Sequence, residues 1–382
     1  MPTIREPMKS GKKDGTISPR PEVLDAPSVP HGAADYEELE AWGFTPEDVL
    51  DFSVNGNPYG PPPGVREALQ DVPLERYPDR EALALRRVLA EHHDVPLDAI
   101  LAGNGTAELI WLIALAFVRP GDRVLVLEPT FGEYARAVSL MGAKVETWRA
   151  KAEGNFSIPP AQLARRLEQS QPRLVFLCNP NNPTGAAVPT AVIGTWANAS
   201  PQTLFIVDEA YISFASPHNP SSEPPLRSTS TLGADNIVTL RSMTKDYALA
   251  GLRLGYTIAD PEIAGALARV RPPWNVNAMA QAAGVTALDA EDYVKDCTTR
   301  LTKAKIELVA SMKELGLDPR PSATHFFLVP VDDAATFRRE LLARRIQVRD
   351  CTSFGLPQHV RIATLRPEQN ALLLSALRQV LT

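Results

Sequence analysis

Leu174-Val175-Phe176-Leu177-Cys178 runs directly into Asn179-Pro180-Asn181-Asn182-Pro183-Thr184-Gly185, and a little further on Leu204-Phe205-Ile206-Val207 runs into Asp208-Glu209-Ala210-Tyr211. In both, an unbroken apolar run stops abruptly on polar, turn-forming residues. A strand with one wet face alternates apolar and polar side chains. These two do not, so they suit strands buried on both faces of a mostly parallel sheet. Residues 124–127 and 237–240 have the same character. Amphipathic helices fit between the runs, for example over 161–168. The repeated strand–loop–helix pattern from about 102 to 256 predicts α/β architecture with helices on both faces of the sheet.

The pattern changes towards the C-terminus. A long helical stretch from Glu291 to about Leu315 precedes apolar runs at 326–331, 346–349 and 360–362, with helices near 334–343 and from Pro367. That α+β alternation predicts a second, smaller domain. The expected organisation is a flexible tail over 1–30, an N-terminal segment over 31–70 packing with the small domain, a large domain over 71–280 and a small domain over 281–382.

Composition narrows the function. A chain of 382 residues with 44% hydrophobic content can build a large core, and a net charge of −6 gives no electrostatic case for nucleic acid or an anionic membrane as partner. No apolar run approaches the length of a membrane span. The three cysteines, Cys178, Cys297 and Cys351, are far apart and form no Cys-x-x-Cys. Neither a disulfide framework nor a metal site is expected, and a cytoplasmic enzyme fits. Residues 1–30 carry Lys9, Lys12, Lys13 and Arg20 among prolines and lack the apolar core of a secretory signal.

Four short segments carry the chemistry, and each falls where a predicted strand ends. In open α/β sheets, ligand sites form outside those ends. Gly103-Asn104-Gly105-Thr106 turns into a helix N-terminus, which favours phosphate but also suits an ordinary helix start. Asp208, behind an apolar strand, needs a partner. A protonated pyridine nitrogen is one; a helix cap or an ion pair is another. Lys245, in Ser242-Met243-Thr244-Lys245 with Arg253 downstream, is consistent with a nucleophilic amine whose pKa a neighbouring cation depresses. Taken alone, it reads as a solvated surface lysine.

As an ordered set, Asn-Pro-x-Asn-Pro-Thr-Gly, Asp-Glu-Ala-Tyr, Ser-x-x-Lys and Gly251-Leu252-Arg253-Leu254-Gly255-Tyr256 resemble the fold-type I pyridoxal-phosphate enzymes of the class I/II aminotransferase group. The resemblance spans nearly all of 31–382. It implies pyridoxal 5′-phosphate as cofactor, held as a Schiff base by Lys245, which would also move the proton in catalysis. It places Asp208 on the pyridine nitrogen, and Asn182 and Tyr211 on the ring oxygen. Gly105, Thr106, Ser242, Thr244 and Arg253 would surround the phosphate, and Phe131 would stack on the ring. Arg361 matches an arginine that grips the substrate carboxylate. Tyr77 matches a tyrosine that reaches the phosphate of a neighbouring subunit, which implies a homodimer.

Within that group, His31-Gly32, Asp51-Phe52-Ser53-Val54-Asn55-Gly56-Asn57-Pro58, Pro273-Trp274-Asn275-Val276-Asn277-Ala278 and Arg349-Asp350-Cys351 are similar to threonine-phosphate decarboxylases of cobalamin biosynthesis. Histidinol-phosphate aminotransferases are the neighbouring subfamily. The decarboxylase resemblance places His31, Gly32, Asn55 and Arg349 on the substrate, a small phosphorylated amino acid. Two departures stand out. Ala33-Ala34 follows His31-Gly32 where that subfamily usually has Gly-Asn, and Thr324-His325-Phe326 stands where relatives often have Ala-Asn-aromatic.

Overall fold

The computed structural model describes residues 17–24, 26, 29–30, 32–215 and 226–381. Strands are numbered in chain order: β1 Leu50–Asp51, β2 Ile100–Gly103, β3 Arg123–Glu128, β4 Lys144–Arg149, β5 Leu174–Cys178, β6 Leu204–Asp208, β7 Ile237–Ser242, β8 Gly255–Ile258, β9 Phe326–Pro330, β10 Ile346–Gln347, β11 Arg349–Asp350 and β12 His359–Ala363. Four helices enter the argument: α1 Gly105–Phe117, α2 Glu133–Leu140, α3 Glu291–Glu314 and α4 Pro367–Val380.

The large sheet has the order β2-β8-β7-β6-β5-β3-β4. Its strands β3 to β7 pair in parallel, and β8 runs against both of its neighbours. The reason for the unbroken apolar runs is visible in the packing. Val124, Val126, Leu174, Phe176 and Ile206 point to one face and join Leu109, Ile113, Tyr134 and Val138 of α1 and α2. Leu125, Leu127, Val175, Leu177, Phe205 and Val207 point to the other and meet Leu163, Leu167, Ile193 and Trp196 from two further helices. Polar alternation would put a polar atom into one of these two cores. Two strands of this sheet are absent from the sequence reading, β8 and β4; β4 sits at the sheet edge, where its mixed Lys-Val-Glu-Thr-Trp-Arg composition is tolerated.

Register brings the functional loops together. Cys178 lies opposite Asp208, and Asp208 opposite Leu240, two residues before the end of β7. The segments beginning at Asn179, Glu209 and Met243 therefore leave the sheet side by side. Gly103 pairs with Gly255 at the same end, where α1 begins.

A second sheet, β11-β12-β9, is wrapped by α3, α4 and helix Ala334–Leu342 around Phe52, Leu308, Phe327, Leu341 and Leu373. The single strand expected over 346–349 is two. Ile346 and Gln347 pair in parallel with Leu50 and Asp51 of the N-terminal segment, whereas Arg349 and Asp350 pair antiparallel with β12. Val348, fully buried between them, is the point where the chain changes partners. Of the N-terminal 30 residues, Pro21–Leu24 form one helical turn, and Arg20 donates to the Leu140 carbonyl at the end of α2.

Gly255 offers a direct test of the sheet's contact with α1. A Cβ there would lie 2.9 Å from the Thr106 amide nitrogen and 3.0 Å from both the Arg241 carbonyl oxygen and the Gly105 carbonyl carbon, all backbone that cannot turn aside. Gly251, with nothing within 4 Å, is the control. Gly255→Ala should cost about 1–3 kcal/mol in urea unfolding and weaken pyridoxal phosphate binding, while Gly251→Ala leaves both nearly unchanged.

Candidate active site

The phosphate end of the site is a cradle of backbone and hydroxyls. Gly105 opens α1 with a φ of 74°, a left-handed conformation suited to glycine. A Cβ on it would meet the Arg253 guanidinium at 2.8 Å, so that cation rests directly on the helix N-terminus. Asn104 does not cap the helix with its side chain. Ser242 and Thr244 share a hydroxyl hydrogen bond of 2.7 Å and are both buried. Helix-start N–H groups, two hydroxyls and a guanidinium form an anion site.

Lys245 follows on the loop after β7. That loop is pinned by the N-terminal segment: the Asn57 amide nitrogen donates to the Lys245 carbonyl at 2.9 Å, and its side chain donates to the Asp246 carbonyl at 3.0 Å. Asp246 in turn accepts from the Ser213 hydroxyl at 2.6 Å. Burial, with Arg361 and Arg253 adding to it, pushes the Lys245 amine down to about 8 against the pull of Asp208. A useful fraction is therefore neutral, hence nucleophilic, near neutral pH.

Asp208 ends β6 and is buried. Burial raises its carboxyl above the usual range, while two donors oppose that: the Tyr134 hydroxyl at 2.7 Å and the Ala210 amide at 3.0 Å. Tyr134 was not among the expected site residues. At helical spacing with Ala137 and Val138 it reads as core, and its fully buried ring does pack there, against Phe176. Only the fold reveals that its hydroxyl reaches the end of a strand 74 residues away.

The loop after β5 divides its asparagines by task. Asn179 exchanges hydrogen bonds with the Val188 backbone. Asn181 ties Pro129, Thr130 and Thr184 together. Asn182 remains for the site, where its carbonyl accepts from Arg361. Arg361 is buried and donates also to the Ser53 carbonyl at 2.5 Å, with Phe326 beneath it. Burial lowers the pKa of this guanidinium. The Tyr211 hydroxyl is pushed up to about 12 by burial, and the Arg361 guanidinium pulls the other way. Asn55 is itself buried with neither amide atom hydrogen-bonded.

Arg349 and Arg361 are direct partners across β11 and β12. Directly opposed residues project from the same sheet face. Arg349 is half-buried and donates to the Pro30 carbonyl and the Ser353 hydroxyl, each at 2.8 Å. Burial, and then Arg361, lower its pKa. Gly32 lies over the pair's edge, where a Cβ would be 3.5 Å from an Arg361 nitrogen. His31 lies outside the described residues. Phe131 is partly exposed at the mouth, edge-on to Tyr134 at 5.7 Å. Tyr77 is not brought to the cradle. It is 80% exposed and stacks on Trp274 at 4.6 Å.

The residues present fit pyridoxal phosphate. The cradle suits a phosphate, the buried Asp208 carboxyl suits a protonated ring nitrogen, Lys245 suits an aldehyde, and the unpartnered Asn55 amide awaits a polar group. Among the described residues no cluster of side chains could hold a metal ion, and no helix is long and apolar enough to cross a membrane.

Comparison with known proteins agrees with this geometry. The model of the family "Aminotransferase class I and II" matches residues 47–377. The histidinol-phosphate aminotransferase of Moorella thermoacetica is 36% identical over 340 residues, covering 88% of this chain and 86% of that protein. The threonine-phosphate decarboxylase of Salmonella typhimurium is 35% identical over 363 residues, covering 92% and 96%. The structure of histidinol-phosphate aminotransferase from Sinorhizobium meliloti, solved with pyridoxal-5′-phosphate, superposes with a TM-score of 0.82 at 26% identity, covering 96% and 98%. The chain belongs to the class I and II aminotransferase family, on the fold-type I scaffold of pyridoxal-phosphate enzymes.

Two outcomes follow from this geometry. Attachment of pyridoxal phosphate to cofactor-free protein, followed by stopped-flow absorbance, should speed up roughly tenfold per pH unit and level off above about 8. A rate still climbing past the ordinary lysine range would mean that Lys245 is not depressed. Tyr134→Phe removes the donor that opposes protonation of Asp208. It should reduce turnover roughly tenfold or more and shift the pH midpoint of the bound cofactor's absorbance, with a stability loss of only about 1 kcal/mol. An unmoved midpoint would make Tyr134 a packing residue.

Proposed function

We propose that this chain decarboxylates L-threonine O-3-phosphate, releasing CO2 and (R)-1-aminopropan-2-yl phosphate, in cobalamin biosynthesis. The observation that carries the reading is the opposed pair Arg349 and Arg361. Two guanidiniums on one sheet face, one of them buried, suit a phosphate dianion. We assign both to the substrate phosphate, in place of a carboxylate grip by Arg361. A carboxylate ion-paired to a buried arginine is stabilised as the ground state, which opposes its departure as neutral CO2. With both cations on the phosphate, neither would hold the carboxylate back from leaving as CO2.

Pyridoxal phosphate, when bound, supplies the electron sink for the pair left by the broken bond at Cα. The chain supplies the rest. Gly105, Thr106, Ser242, Thr244 and Arg253 hold the cofactor phosphate, and Asp208, steadied by Tyr134, keeps a proton on the ring nitrogen. Asn182 and Tyr211 would hold the cofactor's ring oxygen, and Phe131 would pack on its ring. Asn55 and Gly32 would contact the substrate, a role to which His31 is also assigned. The Lys245 amine delivers a proton to Cα after CO2 has left. A homodimer belongs to the same proposal: Tyr77, which with Trp274 forms an exposed aromatic pair, is assigned to a partner's cofactor phosphate.

A second reading, transamination of a phosphorylated substrate such as histidinol phosphate, is favoured by the 36% identical relative of that name. It uses the same residues, with Lys245 moving a proton from Cα instead. The two separate in a product assay with L-threonine O-3-phosphate. CO2 release independent of 2-oxoglutarate is expected; glutamate formed from 2-oxoglutarate without CO2 would establish the aminotransferase. Arg349→Ala and Arg361→Ala should each cost roughly hundredfold or more in kcat/KM for the phosphorylated substrate and far less for L-threonine. Equal losses on both would remove these arginines from the phosphate.

A further inference from the structure

A second cavity, of about 460 Å³, opens between α3 and the loop 319–325 that leads into β9. None of the side chains placed on the cofactor or substrate lines it. Along α3, Leu301, Lys305, Val309 and Lys313 face it at four-residue spacing, which puts them in one row on the helix surface. Arg320 and His325 come from the facing loop. The lining thus contains three cations and, among the described residues, no carboxylate; Arg320 is paired with Asp318 at 3.0 Å from outside the lining.

Two of these groups are unsatisfied in a way that points to a ligand. Lys305 is half-buried, and its ammonium donates to the Ser322 carbonyl at 2.6 Å, with no carboxylate in ion-pair range among the described residues. An ammonium has three donors and needs countercharge when taken from water. Burial alone pushes it down to about 8. His325 is 2% exposed and tilts over the Phe214 ring at 3.9 Å, yet neither ring nitrogen has a hydrogen-bond partner. Burial lowers its pKa to about 3, so the ring is neutral and one N–H is unspent. Buried polar atoms without partners are rare in native structures and call for an explanation.

We propose that this cavity binds a small amphipathic monocarboxylate, its carboxylate on Lys305 and its apolar chain along Leu301, Val309 and Phe214. The row on α3 alternates apolar and cationic positions, which matches a molecule with one anionic end and one apolar end. The volume falls in the range of small-molecule sites, about 300–1,000 Å³. A doubly charged ligand suits it less, since Arg320 already has Asp318 as its partner and Lys313 is exposed, which leaves Lys305 as the half-buried cation without a carboxylate. The site lies directly behind the active site: Phe326, next in sequence to His325, packs edge-on against Tyr211 at 4.9 Å and lies under Arg361.

The test is calorimetric titration of the pyridoxal-phosphate-loaded protein with hexanoate and with its neutral counterpart hexanamide. Hexanoate should bind one-to-one and saturably, and hexanamide at least tenfold more weakly. Lys305→Met and Ala310→Trp, the second filling the cavity from α3, should each weaken hexanoate at least tenfold, while Arg361→Ala leaves it unchanged. Hexanoate should also raise the melting temperature of the unaltered protein but not of the Lys305→Met protein. Should one variant fail to fold, the other carries the comparison. Absence of saturable binding, equal binding of hexanamide, or binding that survives Lys305→Met and Ala310→Trp but is lost in Arg361→Ala would overturn the proposal; the last would put hexanoate in the active site.

Discussion

The site depends on a buried lysine amine kept from holding its proton too firmly. Lys245 lies among low-polarity walls with Arg361 and Arg253 close enough to disfavour its charge, and only Asp208 pulls the other way. Each of those groups needs its own support. Asp208 is buried, so it needs Tyr134 and the Ala210 amide. Arg361 is buried, so it needs Asn182 and the Ser53 carbonyl. Arg253 rests on Gly105, where any side chain would displace it. The polar architecture around the pocket reads as the set of partners required to bury these charges together without neutralising the lysine through a direct ion pair.

The scaffold makes that arrangement rigid. Parallel strands in fixed register release their loops at one edge, and both sheet faces are sealed by apolar helices. The N-terminal segment then closes the other side. Leu50 and Asp51 pair with β10, Asn57 holds the Lys245 loop, and the Ser53 carbonyl meets Arg361. One short stretch of chain thus couples the small sheet, which carries Arg349 and Arg361, to the loop that carries Lys245.

Much of this was legible in the amino-acid order because local constraints write it there. Strands buried on both faces must be continuously apolar, which exposes Leu174–Cys178 and Leu204–Asp208. Loops that end such strands and carry chemistry cluster Asn, Pro and Gly, which exposes Asn182, whereas Lys245 shows through the hydroxyl residues Ser242 and Thr244 before it and Arg253 after it. What stayed hidden depends on register and long-range contact. The break at Val348 follows from a change of pairing partner, not from composition. The facing of Arg349 and Arg361 is a property of two strands in register. Tyr134 has a core residue's spacing and shows its second role only through a hydroxyl that meets Asp208. Asn57 likewise has no assigned role in the sequence, though its backbone and side chain pin the Lys245 loop. His325 was noticed as a departure from its relatives, and its surroundings became visible only with the cavity beside it.

The most direct test of the central claim is to trap the cofactor on the chain. Loaded protein would be treated with borohydride, digested, and the modified lysine located by mass spectrometry. Lys305 makes this a demanding comparison, because burial lowers its amine to about 8, as it does for Lys245. The account predicts modification at Lys245, absent in Lys245→Ala. Modification at Lys305 or elsewhere, or undiminished trapping in the Lys245→Ala protein, would contradict it.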